Sequence, residues 1–307
     1  MLNICLLQFQ KLSRADLPVI TPFFEGKRAV SADYSALYFY MWDAYLHTEY
    51  AIDGDVLYLR RNTKKGVFYY PPLRKGGTDL LAEIPLLARV VEWDTVDLCA
   101  IPEDLVASVE GAFTVLEKQT SRRWADYIYS AEDLATLRGH RFNKKRNLVH
   151  QFERLYPDHT YEELSRENVG EVAAFVRRMI QEIDMTEDER FENERVLEVL
   201  EDFFDLPLCG GLVRVDGAVA AFSIAELVDD VLLVHIEKAD RSLKGAYQYI
   251  NYRFVRECLA VTPFELVNRE DDTGDEGLRR AKLSYHPVKI LHKYHMVLKN
   301  DFGGASV

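Results

Sequence analysis

The sequence lacks several features that mark particular classes of protein. Its four cysteines, Cys5, Cys99, Cys209 and Cys258, form no C-x-x-C pair, which excludes a zinc knuckle and a thioredoxin-like site. No run of 18 apolar residues occurs, and the N-terminus has neither a basic region before its short apolar run nor a small-residue cleavage site. These absences predict a cytoplasmic protein with reduced thiols and no integral membrane segment.

Positive charge is also scarce. The 307 residues carry 38 Lys and Arg against 50 Asp and Glu, which gives a formal net charge of −12. Binding along nucleic acid or an anionic membrane depends on a basic surface that neutralises phosphates. We therefore expect no double-stranded DNA partner, and any polyanion must be bound locally.

Hydrolytic and metal-binding motifs are missing as well. The sequence has no G-x-S-x-G elbow, no H-E-x-x-H and no P-loop. His292 and His295 are three residues apart in a predicted strand, which places them on opposite faces. The sequence therefore predicts no metal site.

The patterns that are present indicate two similar halves. Hydrophobic residues make up 48% of the chain, enough for two domains of ordinary size. Both halves show the element order β, α, α, β, β, β, α, β, α, β, although no residue-level repeat links them. Asp53-Gly54 and Asp216-Gly217 each predict a hairpin. The expected fold is α+β, with domains at residues 1–133 and 134–307, each a mixed sheet flanked by helices.

The basic residues gather in one segment, RGHRFNKKRNLVHQFERLYP. Six Lys or Arg fall in Arg138–Pro157, and Lys144, Lys145 and Arg146 precede an apolar stripe with helical spacing. A guanidinium fork and a mobile ammonium both suit phosphate. The triplet is predicted to bind a diphosphate, a phospholipid headgroup or the acceptor end of an aminoacyl-tRNA. The alternative is a solvated helix face.

Acidic residues follow two predicted strands, VLLVHIEK and FELVNRE. Acyl transfer to an amine needs a base, and a carboxylate at a strand end is a candidate, either directly or through water. The alternative for each acid is a structural ion pair, for example Glu237 with Lys238 or Arg269. A tyrosine is a candidate to protonate the leaving group. The candidate catalytic residues are Glu237, Glu270, Asp272 and Tyr285.

Three blocks carry a family resemblance: DYIYSAEDLATLRGHRFNKKRNLVHQFERLYP, VHIEKADRSLKGAYQYIN and VNREDDTGDEGLRRAKLSYHP. They resemble the C-terminal domain of bacterial phosphatidylglycerol lysyltransferases, and SADYSALYFYMW resembles soluble relatives of that family. Gly277-Leu278, Lys282, Tyr285 and Pro287 follow the family's glycine-leucine, lysine, aromatic and proline pattern. The resemblance implies two tandem Gcn5-related (GNAT) acyltransferase folds, as in Fem-type peptidyltransferases. It also places the basic triplet at the junction between the halves, and it makes Asn268, Arg269 and Lys282 candidate substrate-binding residues.

A further stretch matches the coenzyme A loop of this fold. In such acyltransferases the pyrophosphate lies on backbone amides before a helix N-terminus, which favours anions. The aligned residues RSLKGA make Arg241, Lys244, Gly245 and Ala246 candidate cofactor-binding residues. Lys244 replaces the family's first glycine and crowds the loop, and the alternative is a plain strand-to-helix turn.

The expected function is therefore acyl or aminoacyl transfer. The donor is an acyl-coenzyme A or an aminoacyl-tRNA, and the acceptor is an amine or a hydroxyl. The alternative is a non-catalytic module that keeps the fold and an anion site, and Lys244 favours it.

Overall fold

The computed structural model describes residues 7–26, 30–77, 79–182 and 185–302. Within these ranges the strands are β1 (Gln10–Lys11), β2 (Thr48–Asp53), β3 (Val56–Thr63), β4 (Gly66–Tyr69), β5 (Leu73–Arg74), β6 (Thr95–Pro102), β7 (Val115–Thr120), β8 (Asp126–Ser130), β9 (Thr160–Glu163), β10 (Cys209–Val215), β11 (Ala218–Val228), β12 (Val231–Ala239), β13 (Leu266–Asn268), β14 (Lys289–Leu291) and β15 (Lys293–Lys299). The helices of the same ranges are α1 (Leu17–Ile20), α2 (Ala36–Met41), α3 (Asp43–Leu46), α4 (Leu80–Glu83), α5 (Glu103–Ala112), α6 (Ala131–Thr136), α7 (Asn143–Leu155), α8 (Val169–Glu182), α9 (Glu187–Asp202), α10 (Ala246–Val261) and α11 (Glu276–Leu283). Short 3₁₀ segments lie at Arg14–Asp16, Thr21–Phe23, Ala32–Tyr34, Ile84–Arg89, Arg122–Trp124, His140–Phe142 and Phe203–Asp205.

The chain divides into two compact units. The first contains the described residues up to Asp126, Asp271–Asp275 and those from Ile290 onward, and the second contains Tyr127–Glu270 and Glu276–Lys289. The sheet of the first unit has the order β1-β2-β3-β4-β6-β15-β7, with β5 beside β3. The other sheet has the order β14-β8-β13-β12-β11-β10-β9. Both sheets are mixed, because β4 is parallel to β6 and β12 is parallel to β13.

Both predicted hairpins are confirmed. β2 and β3 pair from Asp53 and Val56 outward, with Gly54 at φ +59° in the turn. β10 and β11 flank Asp216 and Gly217, which both have positive φ, as a type I′ turn requires. Turn chemistry therefore determined these connections locally.

Two predicted helices are shorter than their patterns suggested. The segment PEDLVASVEGAFTVLEK is helical only to Ala112, and Val115–Thr120 is strand β7, which pairs with β15. The segment after Thr78, which itself lies outside the described residues, is α4 followed by a 3₁₀ segment that begins at Ile84, next to Pro85. Proline lacks the N–H that would continue an α-helix.

The predicted strand PVKILHKYHMVL is in fact two strands. β14 belongs to the second sheet, whereas β15 lies between β6 and β7 in the first sheet. His292 separates them, and its carbonyl accepts a hydrogen bond from the Glu103 N–H at 3.0 Å. A local pattern cannot show this change of sheet, because it does not identify a strand's partners.

A buried ion triad lies in the first unit. Lys293 Nζ is 2.6 Å from Asp33 Oδ2 and 2.9 Å from Asp126 Oδ1, and all three side chains are buried. The Ala32 N–H and the Ser31 hydroxyl also bond Asp126. The two carboxylates raise the pKa of Lys293 against the opposing effect of burial, so its ammonium stays charged.

The core of the second unit lies around β11 and β12. Eight successive residues of β11 and six of β12 are buried, as expected for strands covered on both faces. α10 packs on both strands with Ile250, Phe254 and Val255 buried. α7 packs on α10, where the rings of Phe152 and Tyr249 stack with centroids 4.7 Å apart.

Candidate active site in the second unit

The site lies where β12 and β13 part. The two parallel strands pair through three residues each, Val231–Leu233 and Leu266–Asn268, and β12 then continues to Ala239 beside β11. β12 also carries a bulge at His235, because Val234 and Ile236 pair with consecutive residues of β11. Bulges redirect side chains and are common beside active sites.

Glu237, near the end of β12, is held by side chains from three elements. Its Oε1 accepts a hydrogen bond from Arg269 Nη2 at 2.8 Å, and its Oε2 accepts one from Asn251 Nδ2 at 3.0 Å. Ser223, opposite Glu237 in β11, lies 3.4 Å from the same Oε2. Of the two pairings that the sequence left open, the structure has Glu237 with Arg269, while Lys238 bonds Glu192 at 2.5 Å.

Two buried polar atoms beside Glu237 are unpaired. Arg269 Nη1 and Asn251 Oδ1 have no hydrogen-bond partner among the residues that the structure describes. One is a donor and the other an acceptor, and both side chains are fixed by the same carboxylate. Unpaired buried groups are costly, and their usual partners are an ordered water or a ligand.

Aromatic rings line this group. Arg269 Cζ lies 5.0 Å from the ring centroid of Tyr285 and 5.7 Å from that of Tyr129, and Lys145 Nζ lies 4.1 Å from the Tyr285 centroid. Burial raises the pKa of both tyrosines, so each phenol is protonated at neutral pH. The five residues that we name the Arg269 cluster are Lys145, Glu237, Asn251, Arg269 and Tyr285.

A second ion network lies beside the bulge. His235 Nδ1 is 2.6 Å from Glu270 Oε1, and its Nε2 is 3.0 Å from Glu226 Oε1. The imidazole is fully buried. Burial lowers the pKa of His235, but hydrogen bonds and charge from the two glutamates outweigh it and raise the pKa to about 10. The ring is therefore a cation at neutral pH.

Two predicted substrate-binding residues contact the backbone of the β13 exit. Lys282 Nζ donates to the Arg269 carbonyl at 2.6 Å and lies 3.3 Å from the Glu270 carbonyl. Asn268 Oδ1 accepts from the Glu270 N–H at 2.7 Å, and Glu270 has a left-handed φ of +54°. These contacts fix the turn that presents Arg269 and Glu270.

The three residues of the basic triplet at the start of α7 lie in different environments. Lys144 is exposed, whereas Lys145 is buried in the Arg269 cluster. Arg146 donates to the Leu137 carbonyl and to Asn143 Oδ1. These bonds stabilise the C-terminal end of α6, where Leu137 has a left-handed backbone conformation. Phosphate binding by the triplet stays a prediction, and the three side chains do not form one basic patch.

The predicted coenzyme loop precedes α10. Arg241 and Lys244 are exposed, and Arg241 lies 3.8 Å from Glu189. Gly245 has φ +90°, and a Cβ there would lie 2.5 Å from the Leu148 carbonyl oxygen of α7. Ala246 is the buried first residue of α10. Helix packing and positive φ account for the glycine, and anion binding at the loop stays a prediction.

Asp272 belongs to the first unit, not to the unit that holds the Arg269 cluster. It is fully buried, and its Oδ1 accepts a hydrogen bond from the Gly274 N–H at 2.9 Å. The predicted role of Asp272 as a base is untested, and its observed contact stabilises a turn.

Sequence reasoning identified four members of the Arg269 cluster and missed Asn251. It also missed Ser223, Glu226 and the role of His235. Glu226 left a usable signal, since a carboxylate within the apolar run AVAAFSIAELV must find a buried partner. Asn251 left a similar one, because it interrupts the buried face of α10.

The histidines near the sites have separate surroundings. His286 Nε2 lies 3.0 Å from the Arg141 carbonyl, and His295 Nδ1 lies 2.8 Å from Gln119 Nε2 in the first unit. In the part of the chain that the structure describes, no three His, Cys, Asp or Glu side chains are grouped to hold a metal ion.

Both units, each a mixed sheet flanked by helices, have GNAT-like folds, so the protein is of the tandem GNAT class. Residues 26–297 match the family model "Phosphatidylglycerol lysyltransferase, C-terminal", and the chain belongs to this family. None of the helices in the described ranges combines the length and the apolar character that crossing a membrane requires.

Solved structures share this fold. A conserved protein of unknown function from Bacteroides thetaiotaomicron is 31% identical, with a TM-score of 0.85 over 96% of this chain and 100% of its own. L-PGS from Bacillus licheniformis, 13% identical, has a TM-score of 0.61 over 95% and 93% of the two chains. FemX, 10% identical, has a TM-score of 0.57 over 94% and 97%. The last two show the fold alone.

One curated relative is an uncharacterised protein. It comes from Mycoplasmoides gallisepticum and is 25% identical over 203 residues, which are 64% of this chain and 62% of the relative. The match therefore spans less than two thirds of that protein's length.

Proposed function

We propose that this protein is an aminoacyltransferase that moves an amino acid from aminoacyl-tRNA to an amine or hydroxyl acceptor at the Arg269 cluster. The observation that carries the proposal is the pair of unpaired buried atoms, Arg269 Nη1 and Asn251 Oδ1. Family membership supports a transfer reaction. The donor and acceptor are our inference.

An aminoacyl ester has polar groups that match this pair. Its carbonyl oxygen needs a hydrogen-bond donor, and its α-ammonium needs an acceptor. Arg269 Nη1 supplies the donor and Asn251 Oδ1 the acceptor. As the acceptor attacks, negative charge develops on the carbonyl oxygen, and a fixed guanidinium in a buried site stabilises that charge strongly.

The surroundings of Arg269 suit this role. Glu237 fixes the other guanidinium nitrogen at 2.8 Å, and the Lys282 bond to the Arg269 carbonyl fixes the backbone. The Tyr285 ring, whose centroid is 5.0 Å from Arg269 Cζ, packs beside the guanidinium. Donors held in place before the reaction need no reorganisation during it.

Acyl-coenzyme A is the weaker donor candidate. Its pyrophosphate would use the loop at Gly245, where an exposed Lys244 replaces the family glycine. The close approach that Gly245 permits is made by the Leu148 carbonyl of α7. The glycine thus has a structural reason that needs no bound anion.

The test is a binding titration with a stable mimic of the donor, 3′-aminoacylamino-adenosine with a lysyl or an alanyl group. We expect the mimic to raise the melting temperature, because it binds the folded state, and coenzyme A to have no such effect. Arg269→Lys keeps a cation beside Glu237 but removes the second nitrogen. It should weaken mimic binding by roughly 10- to 100-fold, as expected for a lost charge-assisted hydrogen bond.

Arg241→Lys, at an exposed position of the predicted coenzyme loop, is the matched control and should leave binding of the mimic unchanged. Equal binding by the parent and Arg269→Lys would refute the assignment of the site. Binding of the mimic without any transfer from aminoacyl-tRNA would favour the non-catalytic module.

A further inference from the structure

The carboxylates near the β13 exit are engaged and leave the proposed reaction without an obvious base. Both oxygens of Glu237 accept hydrogen bonds, from Arg269 and Asn251. Glu270 Oε1 is bound to the imidazolium of His235 at 2.6 Å. These oxygens are therefore already occupied by hydrogen bonds within the protein.

Lys145 differs from these acids. It is buried on α7, and its Nζ lies against the face of Tyr285, 4.1 Å from the ring centroid. Among the described residues, no carboxylate or carbonyl accepts a hydrogen bond from this nitrogen, and its recorded contact is the Tyr285 ring. Arg269 contacts the same ring at 5.0 Å. A nitrogen in this position is available to a substrate held by Arg269.

The charges around Lys145 favour its neutral form. Burial and the Arg269 guanidinium lower the pKa of Lys145 to about 8, against the opposing charge of Glu237. Tyr285, the third titratable group that faces it, is neutral because burial raises its pKa. An appreciable fraction of Lys145 is therefore an unprotonated amine near neutral pH, and a group that titrates near the working pH is an efficient proton shuttle.

We propose that Lys145 is the general base and then the general acid of the transfer reaction, a role that rests on the proposed function. Nζ takes a proton from the acceptor's amine or hydroxyl as the acceptor nitrogen or oxygen bonds to the ester carbonyl carbon. The bond between that carbon and the ribose oxygen then breaks. The ribose oxygen takes the proton from Nζ and leaves as a hydroxyl, so Lys145 returns to its neutral form.

A first experiment measures the amine without any substrate. Lysines of the intact protein are dimethylated with ¹³C-formaldehyde, and the Lys145 resonance is identified as the one missing in Lys145→Met. We expect its chemical shift to titrate with a midpoint near pH 8, well below the value of about 10.4 of an unperturbed lysine amine. A midpoint at that unperturbed value would overturn the proposal.

A second experiment measures transfer from ¹⁴C-aminoacyl-tRNA. The acceptors are phosphatidylglycerol vesicles, which offer a hydroxyl, and a lysine-containing peptide, which offers an amine. Lys145→Arg keeps a cation over Tyr285 but cannot act as a base, and Lys145→Met removes the charge. Both should reduce kcat by roughly 10²–10⁴-fold with little change in KM for the donor, while Lys289→Met, at an exposed position of β14, stays near parent activity.

The side chain can also be rebuilt chemically. Aminoethylation of Lys145→Cys restores an amine whose pKa is lowered by the neighbouring sulfur. Activity should return, with the rising limb of the pH profile moved to lower pH relative to the parent treated with the same reagent. If Lys145 had only a structural role, aminoethylation of Lys145→Cys would leave the rising limb of the pH profile unchanged.

The outcomes distinguish the proposed aminoacyl transfer from the proposed role of Lys145. If the parent transfers an amino acid and Lys145→Arg does so equally well, only the role of Lys145 is overturned. If the parent transfers to neither acceptor, the proposed function is overturned and the role of Lys145 with it.

Discussion

At the scale of single residues, His235 lies in unusual electrostatic surroundings. Its buried ring lies between Glu226 and Glu270, and their hydrogen bonds raise the pKa of His235 from 6.5 to about 10. The folded state therefore keeps a proton that the unfolded state releases above pH 6.5. The bond to Glu270 also fixes the residue that follows Arg269.

This proton makes stability dependent on pH. The stabilisation from His235 is fully present below pH 6.5 and is lost as the pH rises to about 10, by about 1.4 kcal/mol per pH unit within that window. In urea titrations, His235→Gln should flatten the decline of the unfolding free energy between these limits. The exposed His150→Gln is the control and should keep the parent slope. Parallel slopes for the parent and His235→Gln would contradict a protonated His235 between Glu226 and Glu270.

At the scale of elements, the packing of α7 on α10 depends on one glycine. Gly245→Ala should lower the free energy of unfolding by at least about 1–2 kcal/mol, because its left-handed φ disfavours any side chain and the new Cβ would crowd the Leu148 carbonyl. Gly170→Ala in α8 meets no atom within 4 Å and should be neutral or stabilising. Chemical denaturation measures both effects. A Gly245→Ala variant that loses affinity for coenzyme A or aminoacyl-tRNA at unchanged stability would instead support the anion site.

The strands and helices around the site also show which of its residues could be predicted from the sequence. The polar strand ends of VLLVHIEK and FELVNRE made Glu237 and Glu270 candidates, and the family resemblance added Arg269. The bulge at His235 was not predictable, because it depends on the register with β11. Asn251 was missed for a related reason, since its role depends on which face of α10 lies beside Glu237. Local sequence thus identifies polar strand ends but not the partners that orient them.

At the scale of the whole molecule, the two sheets draw on segments that are far apart in sequence. The first unit contains Lys293 of β15 together with Asp33 and Asp126. The family resemblance predicted tandem GNAT-like folds, and this is confirmed. The local pattern could not predict that β15 belongs to the first sheet, because its alternating residues would suit either one.

The ion triad gives a test at this scale. Lys293→Met leaves Asp33 and Asp126 buried without their cation and should lower the free energy of unfolding by about 3–5 kcal/mol. Lys299→Met, at a largely exposed position of the same strand, should change it by less than about 0.5 kcal/mol. Urea denaturation measures both. Adding Asp33→Asn to Lys293→Met should recover part of the loss, and a Lys293→Met variant as stable as the parent would show that the triad is not a source of stability.

The position of β15 between β6 and β7 affects how the protein folds during translation. The ribosome synthesises β6 and β7 early, but the strand between them is made only after every residue of the second unit. Until then β6 and β7 expose unpaired backbone edges, which are prone to aggregation. During translation the second unit therefore has all of its residues available before the first unit can complete its sheet. Nascent chains arrested before residue 293 should consequently need a chaperone more than the finished protein does.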